Sequence, residues 1–504
     1  MTVINSNISA LKAQSSLTKN AIKLDTAMER LSTGYRINSA KDDAAGLAIT
    51  NRMTSQIQGL NQAVRNANDG IAMIATIEGA LAQTTNVMQR MRELAVQAAN
   101  DSNSTEDRQY LHAEMVQLNN ELDRISSQAR FNGIRVLDGT FTNKQLQVGA
   151  NGSETVAFSV DSAAAADIGV HQKRVGTIGV VNTETTSTAT ASVPASPISG
   201  GTLTISGLLG TTGVTIDRLD SARLVASAVN DAFSNTGVAT KAVTKAKLSN
   251  LSAAGTITFS VTGKNQTAIT VSTTINSTSD LTSLAAAFNT FSSQTGITAE
   301  LSTDKLYVVL TSSDGYDIQL ADYTNNGNGT INVIGLAGNG EAISAADTAI
   351  TLTATSTLDS ARIIGDVLFE SSKEFTLKEN AGTAAETNFV GQTAQPSSLA
   401  SMSTVNIQTQ SGAGTAISII DGALTRISSM RADLGAISSR LEKTVDALTS
   451  SSVNTAAARS RILDTDYAAE TSALAKSQII AQASTAMLAQ ANQQPQQVLQ
   501  LLKQ

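Results

Sequence analysis

Few side chains in this sequence are suited to moving a proton or holding a metal, and their spacing suits neither task. His112 and His171 are the only histidines, and there is no cysteine. That excludes a His-x-x-x-His zinc helix, thiolate chemistry and disulfides together. His112 falls in a helical stretch, where a packed or solvated histidine is the ordinary case. Two carboxylate pairs, Asp42–Asp43 and Asp464–Asp466, have the spacing of an acid and a base sharing a site. Each is more economically a set of helix-start charges, which favour the positive end of the helix dipole. The stretch NNGNGTINVIGLAGNGE lacks the lysine of a phosphate-cradling loop and reads as loops. Sequons such as those at Asn103 and Asn276 arise by chance in a chain so rich in Ser, Thr and Asn. The sequence therefore offers no catalytic, cofactor-binding or metal residues, and it reads as a non-enzyme.

What it does carry is long apolar periodicity at both ends. Leu17, Ala21, Leu24, Met28 and Leu31 step by four and three, the seam of a coiled coil. Gly34 stops that helix, and Ser39 with Asp42 resembles a capping box that opens the next. Met53, Ile57, Leu60, Val64, Ala67, Ile71, Ile74 and Leu81 keep the rhythm. Unbroken over about 43–100, such a helix is on the order of 90 Å long. Gly59, Gly70 and Gly79 sit inside it; they are either tolerated weaknesses of about 1 kcal/mol each or places where a neighbouring backbone comes close. NDSNSTED makes a turn, and Leu111, Met115, Leu118, Leu122 and Ile125 carry a helix back as an antiparallel hairpin. Asn132-Gly133 and Asp138-Gly139 are turn dipeptides, and LQVGANGSETVAFSV reads as a β-hairpin around Asn151-Gly152.

Over roughly 181–400 the character changes. Ser, Thr, Gly and Ala dominate, and only Arg218, Arg223 and Arg362 remain of the arginines. GTLTISG, GVTID, GTITFSV, TAITVS and KLYVVLTSSDGYDIQL are β-branched runs bounded by Gly, Asn or Asp. DSARLVASAVNDAF and DLTSLAAAFNTF are short helices set among them, so the region reads as two α+β repeats. Pro194 and Pro197 precede the β-branched runs of this region, Pro396 closes it and Pro495 lies in the tail, none inside a predicted helix.

From about 402 the heptads return. Ile420, Leu424, Ile427, Leu434, Leu441, Val445 and Leu448 form one helix, and AARSRILDTDYAAETSALAKSQIIAQASTAMLAQANQ another. The chain then ends on Val498, Leu499, Leu501 and Leu502, where polar, frayed residues are usual. Of its 504 residues 41% are hydrophobic but only 3% aromatic, so burial must come from many small contacts. A net charge of −7 argues against nucleic acid. No run reaches the roughly 18 apolar residues that span a bilayer, and the N-terminus lacks the pattern of a removable signal peptide. Two striped ends without local partners would be buried by stacking many copies through interfaces that do not close, which makes a filament subunit. The C-terminal tail is accordingly expected to be ordered only against copies of itself. The predicted assembly stripe is Leu17, Leu24, Met28, Leu31, Leu474, Leu488, Val498, Leu501 and Leu502.

NISALKAQSSLTKNAIKLDTAMERLSTGYRINSAKDDAAGLAI, MQRMRELAVQAAND and FNGIRVLDG resemble the N-terminal region of bacterial flagellins. RSRILDTDYAAETSALAKSQIIAQASTAMLAQANQQPQQVLQLL is similar to the C-terminal signature of that family. The insert resembles flagellin inserts loosely, through ITAELSTDKLYVVLTSSDGYDIQL. The resemblance implies a multidomain protein: an all-α core of coiled coil and helical hairpin built from both termini, plus a β-rich, α+β central insert. Residues 1–42 and 456–504 would form the inner coiled-coil layer. Residues 43–180 and 401–455 would form the outer core layer, with 181–400 as a surface-exposed insert. It implies a homo-polymer, the extracellular bacterial flagellum, and unfolded export through the flagellar type III apparatus. Further implied partners are an export chaperone, hook-associated and cap proteins, and the animal flagellin-sensing Toll-like receptor. The receptor patch, which would double as an axial contact, maps to Gln89, Arg90, Glu93, Leu94 and Glu114, with Leu94 as an apolar knob beside a charged rim. The terminal leucines resemble the segment sensed by cytosolic inflammasome receptors, with Lys503-Gln504 extending past it. The alternatives are a hook–filament junction protein, or a flagellin whose insert has an added adhesive role.

Overall fold

The computed structural model describes residues 6–175, 200–217, 220–265, 267–338, 340, 349–354, 359–381, 390 and 393–501. The chain forms two compact units, one of 1–75, 143–159 and 434–504, the other of 76–142 and 160–433.

The first unit is helical. Helix α1 (Ile8–Thr33) starts at Asn7, whose Oδ1 accepts from the Ala10 N–H, and ends on Gly34 in the left-handed region (φ 77°). Helix α2 (Ala44–Ala98) is unbroken, as the heptads predict. Its cap differs from the expected Ser39–Asp42 box. Asp43 Oδ1 accepts from the Gly46 N–H at 2.8 Å, while Asp42 accepts from Ser39 and Asn38 and closes the turn just before the helix. Strands β1 (Arg130–Phe131) and β2 (Ile134–Arg135) belong to the second unit and are joined by Asn132 and Gly133, both at positive φ. Strands β3 (Lys144–Gln147) and β4 (Thr155–Phe158) form the expected hairpin of the first unit.

That hairpin resolves two of the three helical glycines. A Cβ on Gly59 would meet Ala150 Cβ at 3.0 Å and its Cα at 3.3 Å, and one on Gly70 would overlap the Leu146 side chain. Gly79 meets nothing within 4 Å, so there the weakness is simply tolerated. Asn66 Nδ2 donates to Gln147 O at 2.9 Å and fixes the hairpin against the helix.

The C-terminal helices break differently from the sequence expectation. Helix α8 (Gln410–Leu463) runs through the point where one helix was to hand over to the next, and helix α9 (Tyr467–Leu501) begins only after Asp464, Thr465 and Asp466. Asp466 caps α9, accepting from the N–H groups of Ala468 and Ala469. Asp464 instead closes the end of α8, bound to Ser460, so it is not a helix-start charge. Pro495 falls inside α9 rather than in a tail beyond it.

In the second unit, helix α3 (Thr105–Gln128) returns along α2 behind a full capping box of Ser104 and Asp107. Ile77, Leu81, Met88, Met91 and Leu94 of α2, Met115 and Leu122 of α3, and Ile420 and Ile427 of α8 are buried there. Asn119 Nδ2 donates to Met402 O, and Asp123 accepts from Ala165 N–H, which joins α3 to the start of the β region.

The β region begins with β5 (Gly169–Val175) and contains the two predicted repeats. The first is β6 (Gly201–Ser206), β7 (Thr211–Ile216), helices α4 (Ala222–Asp231) and α5 (Phe233–Thr236), and β8 (Ala239–Ser249). The second is β9 (Gly255–Thr262), β10 (Ile269–Ile275), helices α6 (Thr282–Thr290) and α7 (Ser292–Thr295), β11 (Thr298–Leu301) and β12 (Tyr307–Ser312). They match in detail. Asn230 exchanges hydrogen bonds with Thr240 as Asn289 does with Ala299. Both short helices end on a left-handed glycine, Gly237 and Gly296.

Among the described residues eight more strands close the sheets: β13 (Ile318–Asn325), β14 (Thr330–Leu336), β15 (Ile350–Thr353), β16 (Ala361–Ile363), β17 (Asp366–Ser371), β18 (Thr376–Ala381), β19 (Gln395–Pro396) and β20 (Ser398–Ser401). β17 lies between β5 and β8, all antiparallel. β6 and β7 join β18 and β19, whereas β9 and β10 join β13 and β16. An aromatic cluster lies in the core beside the second repeat, where Phe259 stands 5.9 Å from Phe288 and 5.0 Å from Tyr323 of β13 between ring centroids. Pro194 and Pro197 lie outside the described residues, and Pro396 sits on an edge strand, where its missing N–H costs no ladder bond.

One buried ion pair lies beside that core. Asp317 Oδ2 accepts from Arg362 Nε at 2.9 Å, with both side chains largely buried and Asp317 Oδ1 without a partner. Burial outweighs the attraction of Arg362 and pushes the Asp317 carboxyl up to about 6. The folded state thus holds this proton more tightly than the unfolded one, and the stability it contributes is lost as pH rises from about 4 through about 6. Arg362→Met leaves Asp317 buried without its cation and should cost about 3–5 kcal/mol at pH 7.5. Relative to the unsubstituted chain, the loss should shrink as pH falls toward 5. Thermal unfolding followed by circular dichroism at both pH values checks this, and a loss independent of pH would refute it.

Candidate assembly interface

In the first unit α1 and α9 pack antiparallel, and four contacts hold one register along them. Asn7 Nδ2 donates to Ala491 O at 2.8 Å. Asn20 Nδ2 donates to Ser477 O at 2.6 Å. Arg30 reaches Glu470 at 3.7 Å, and the Tyr467 hydroxyl donates to Leu31 O at 3.0 Å. In every case the residue numbers of the two partners add to nearly the same value, as an unslipped antiparallel pair requires.

The facing stripes are Ala13, Leu17, Asn20, Leu24, Ala27 and Leu31 on α1, and Glu470, Leu474, Ser477, Ala481, Ser484, Leu488 and Ala491 on α9. Both step by four and three throughout. Leu17, Leu24, Leu31, Leu474 and Leu488 of the predicted stripe are therefore on the pairing face, half-buried. Met28 is not: it is 54% exposed, and Ala21 is exposed as well. Their places are taken by Ala27 and Asn20, both buried, because helices that approach closely need small side chains at the contact. Val498 and Leu501 lie on α9 by backbone, and Leu502 lies outside the described residues.

Asn20 is a polar residue in a seam of Ala and Leu. Its buried amide would cost about 1–3 kcal/mol if left without a partner, and slipping the register would leave it so. Asn7 performs two tasks with one amide: Oδ1 caps α1 and Nδ2 reaches Ala491 O. That carbonyl is the one freed by Pro495, which has no N–H to give to the residue four before it. This contact accounts for a proline inside α9. It also corrects the expectation that the tail is ordered only against other copies, since α9 is paired within its own chain as far as Ala491.

A joint fixes the end of the pair. Arg36 N donates to Leu463 O at 2.7 Å, Thr465 N to Gly34 O at 2.9 Å, and Arg36 Nη2 to Ile462 O at 2.7 Å. The α1 end and the α8–α9 break thus form one two-stranded bridge between Tyr35 and Asp464. Once paired, the two helices still expose Ile8, Leu11, Ile22 and Met28 on α1, and Ile479 and Met487 on α9, each more than half exposed.

The second predicted patch lies in the other unit. Arg90 Nη1 meets Glu93 Oε2 at 3.0 Å, and its Nη2 meets Glu114 Oε1 at 2.9 Å, so the three form a charged cluster across α2 and α3. These partners raise the Arg90 pKa further above its usual value, Glu93 first and then Glu114. Gln89 is exposed beside them. Leu94 is fully buried among the core residues of α2, so the predicted apolar knob is absent. Placing Leu94 four residues after Arg90 ignored that Met88, Met91, Ala95 and Ala98 define the inward face. Arg92, which the sequence did not single out, pairs with Asp421 of α8 at 2.7 Å.

No group of three His, Asp or Glu side chains able to hold a metal occurs among the described residues, and no described helix is long and apolar enough to cross a membrane. Burial, with Arg426 and Lys373 nearby, holds His171 below its ordinary pKa, and Nδ1 of each histidine is buried without a partner.

Residues 4–142 match the family model of the bacterial flagellin N-terminal helical region, and residues 417–502 match that of the C-terminal helical region. The chain is 40% identical to the B-type flagellin of Pseudomonas aeruginosa over 504 residues, covering 99% of each. It is 36% identical to a flagellin of Salmonella rubislaw and 32% identical to flagellin B of Vibrio cholerae, again covering 99% of each chain. Helical ends that pair with each other and still expose apolar stripes, around a β-rich insert, are what these matches span. The chain belongs to the bacterial flagellins, the structural subunits of the extracellular flagellar filament.

Proposed function

We propose that the α1–α9 pair is the polymerising element of this subunit, and that its exposed apolar residues are buried against neighbouring copies. The observation that carries this is the set of Ile8, Leu11, Ile22, Met28, Ile479 and Met487, left in solvent by two helices already paired along their other faces. In this reading 1–42 and 456–504 form an inner layer and 43–180 with 401–455 an outer one. The insert, 181–400, faces the medium.

The same exposed stripe explains why an export chaperone would cover the C-terminal helices before assembly. The chain is read as leaving the cell unfolded through the flagellar type III apparatus and as meeting hook-associated and cap proteins at the filament ends. The cluster of Gln89, Arg90, Glu93 and Glu114 is the proposed contact for the flagellin-sensing Toll-like receptor and for subunits along the filament. Leu94 supports it from beneath rather than touching a partner.

Removing residues 460–504 should abolish polymerisation while the insert stays folded. Seeded growth watched by electron microscopy, beside circular dichroism of the monomer, tests this, and filaments from the truncated chain would refute the assignment. Asn20→Ala removes one buried hydrogen bond, worth about 1 kcal/mol, and should lower the temperature at which filaments depolymerise. An unchanged temperature would mean that Asn20 does not hold the pair. Arg90→Ala breaks both contacts of the cluster and should weaken receptor activation by monomer in a reporter-cell assay; an unaltered dose response would place the receptor contact elsewhere.

A further inference from the structure

Strand β8 carries cations where sheet architecture alone does not call for them. It lies between β12 on one side and β14 and β17 on the other, so it is a central strand. Thr244, Ala246 and Leu248 turn inward and are buried, while Lys241, Val243, Lys245 and Lys247 share the opposite face. Three of the seven lysines of 181–400 thus stand on one face of one strand. Lysine guards sheet edges against stray pairing, a use that a central strand does not have. Register sets Lys245 opposite Thr311 and Leu336, and Lys247 opposite Val309 and Ile334.

The first turns of α8 stand over this face and close it into a cleft. One lobe, of about 640 Å³, runs among Lys245, Lys247, Tyr307, Val309, Ile334 and Gln410. A second, of about 340 Å³, continues past Lys245 to Arg174 and Lys241. At that end both cations are paired: Arg174 with Asp366, and Lys241 with Glu370 at 3.0 Å and with Ser418 Oγ at 2.9 Å. Lys245 borders both lobes, is half-buried, and makes no ion pair among the described residues. Lys247 Nζ lies 4.0 Å from the centre of the Tyr307 ring. Burial holds the Lys245 ammonium below its ordinary pKa, with Glu300 attracting it and Arg174 repelling it. Around the two lobes four cations face three carboxylates, Glu300, Asp366 and Glu370, so one positive charge is left over.

We infer that this cleft is a binding site for an acidic sugar, a ring bearing one carboxylate that meets Lys245. The volume is that of a small-molecule site, and a recess beneath α8 does not suit the flat surface of another subunit. One negative charge balances the cleft. Val309 and Ile334, both half-buried, give the less polar face of a sugar ring a floor. Thr409, Gln410 and Thr311 offer partners to its hydroxyls. A bare inorganic anion would use the charge and leave that floor in water. A neutral sugar would use the floor and leave Lys245 without a counter-ion.

Galacturonate is the probe. Titrated into the full-length monomer and followed by saturation-transfer NMR, it should bind saturably, and galactose and acetate should each bind about tenfold more weakly. Lys245→Gln removes one charge-assisted hydrogen bond and should weaken galacturonate about tenfold. Lys264→Gln, at an exposed lysine of the same insert, should leave binding unchanged. Reductive methylation with peptide mapping locates the site: galacturonate should protect Lys245 and Lys247 several-fold and leave Lys264 reactive. Lys247→Gln is the second check should circular dichroism show that Lys245→Gln disturbs the sheet. No saturable binding, equal binding of galactose or of acetate, no protection of Lys245, or unchanged binding in the folded variant would each overturn the proposal.

Discussion

The antiparallel register of α1 and α9 is the constraint on which the first unit depends. Close approach requires Ala13, Ala27, Ala481 and Ala491 at the contact, and small side chains alone discriminate poorly between one alignment and another a heptad away. Asn20 on Ser477 O and Asn7 on Ala491 O add the discrimination, because a shifted pairing strands a buried amide. A polymer magnifies the need for a single register. In the assembly proposed, every copy must present the same arrangement of Ile8, Leu11, Ile479 and Met487 to its neighbours, or the lattice ends there.

The joint at Gly34–Arg36 and 463–465 carries that constraint onward within the same unit. α1 hands over to α2 at the same place in space as α8 hands over to α9, through hydrogen bonds between the two breaks. α2 and α8 then run antiparallel, pinned by Ser452 on Asn61 and Arg459 on Thr54. The β3–β4 hairpin lies on α2 where Gly59 and Gly70 leave room for it. Glycine in a long helix weakens it, and here the weakness at two of three positions is offset by what packs in the space.

Much of this is legible in the sequence, and the failures have specific causes. Heptads mark all the long helices, and β-branched runs between Gly, Asn and Asp mark most strands of the insert. Choosing the stripe by hydrophobicity alone put Ala21 and Met28 inside, whereas the seam is built on Asn20 and Ala27. A buried Asn at a seam position is readable only once the register of both helices is known. Leu94 failed for a similar reason: shared spacing with Arg90 placed it on the rim, but core contacts from three helices own that face. Pro495 could not be placed in a helix from local rules, since the donor that satisfies Ala491 comes from the opposite end of the chain. The sheet order was also out of reach, because β5 pairs with Asp366–Ser371 nearly two hundred positions away.

The contacts of Asn7 and Asn20 join residues 484 and 457 positions apart, almost the full chain. The loop that must close before they form is therefore nearly as long as the molecule itself, and local helix formation far outpaces it. A chain emerging end first, by either terminus, has nothing to pair its leading helix with until the last few dozen residues follow. The α1–α9 pair is thus completed last, and only in a whole molecule. Under the role proposed for the pair, fragments and incomplete chains would lack the surface that joins the lattice, without any dedicated inhibitor.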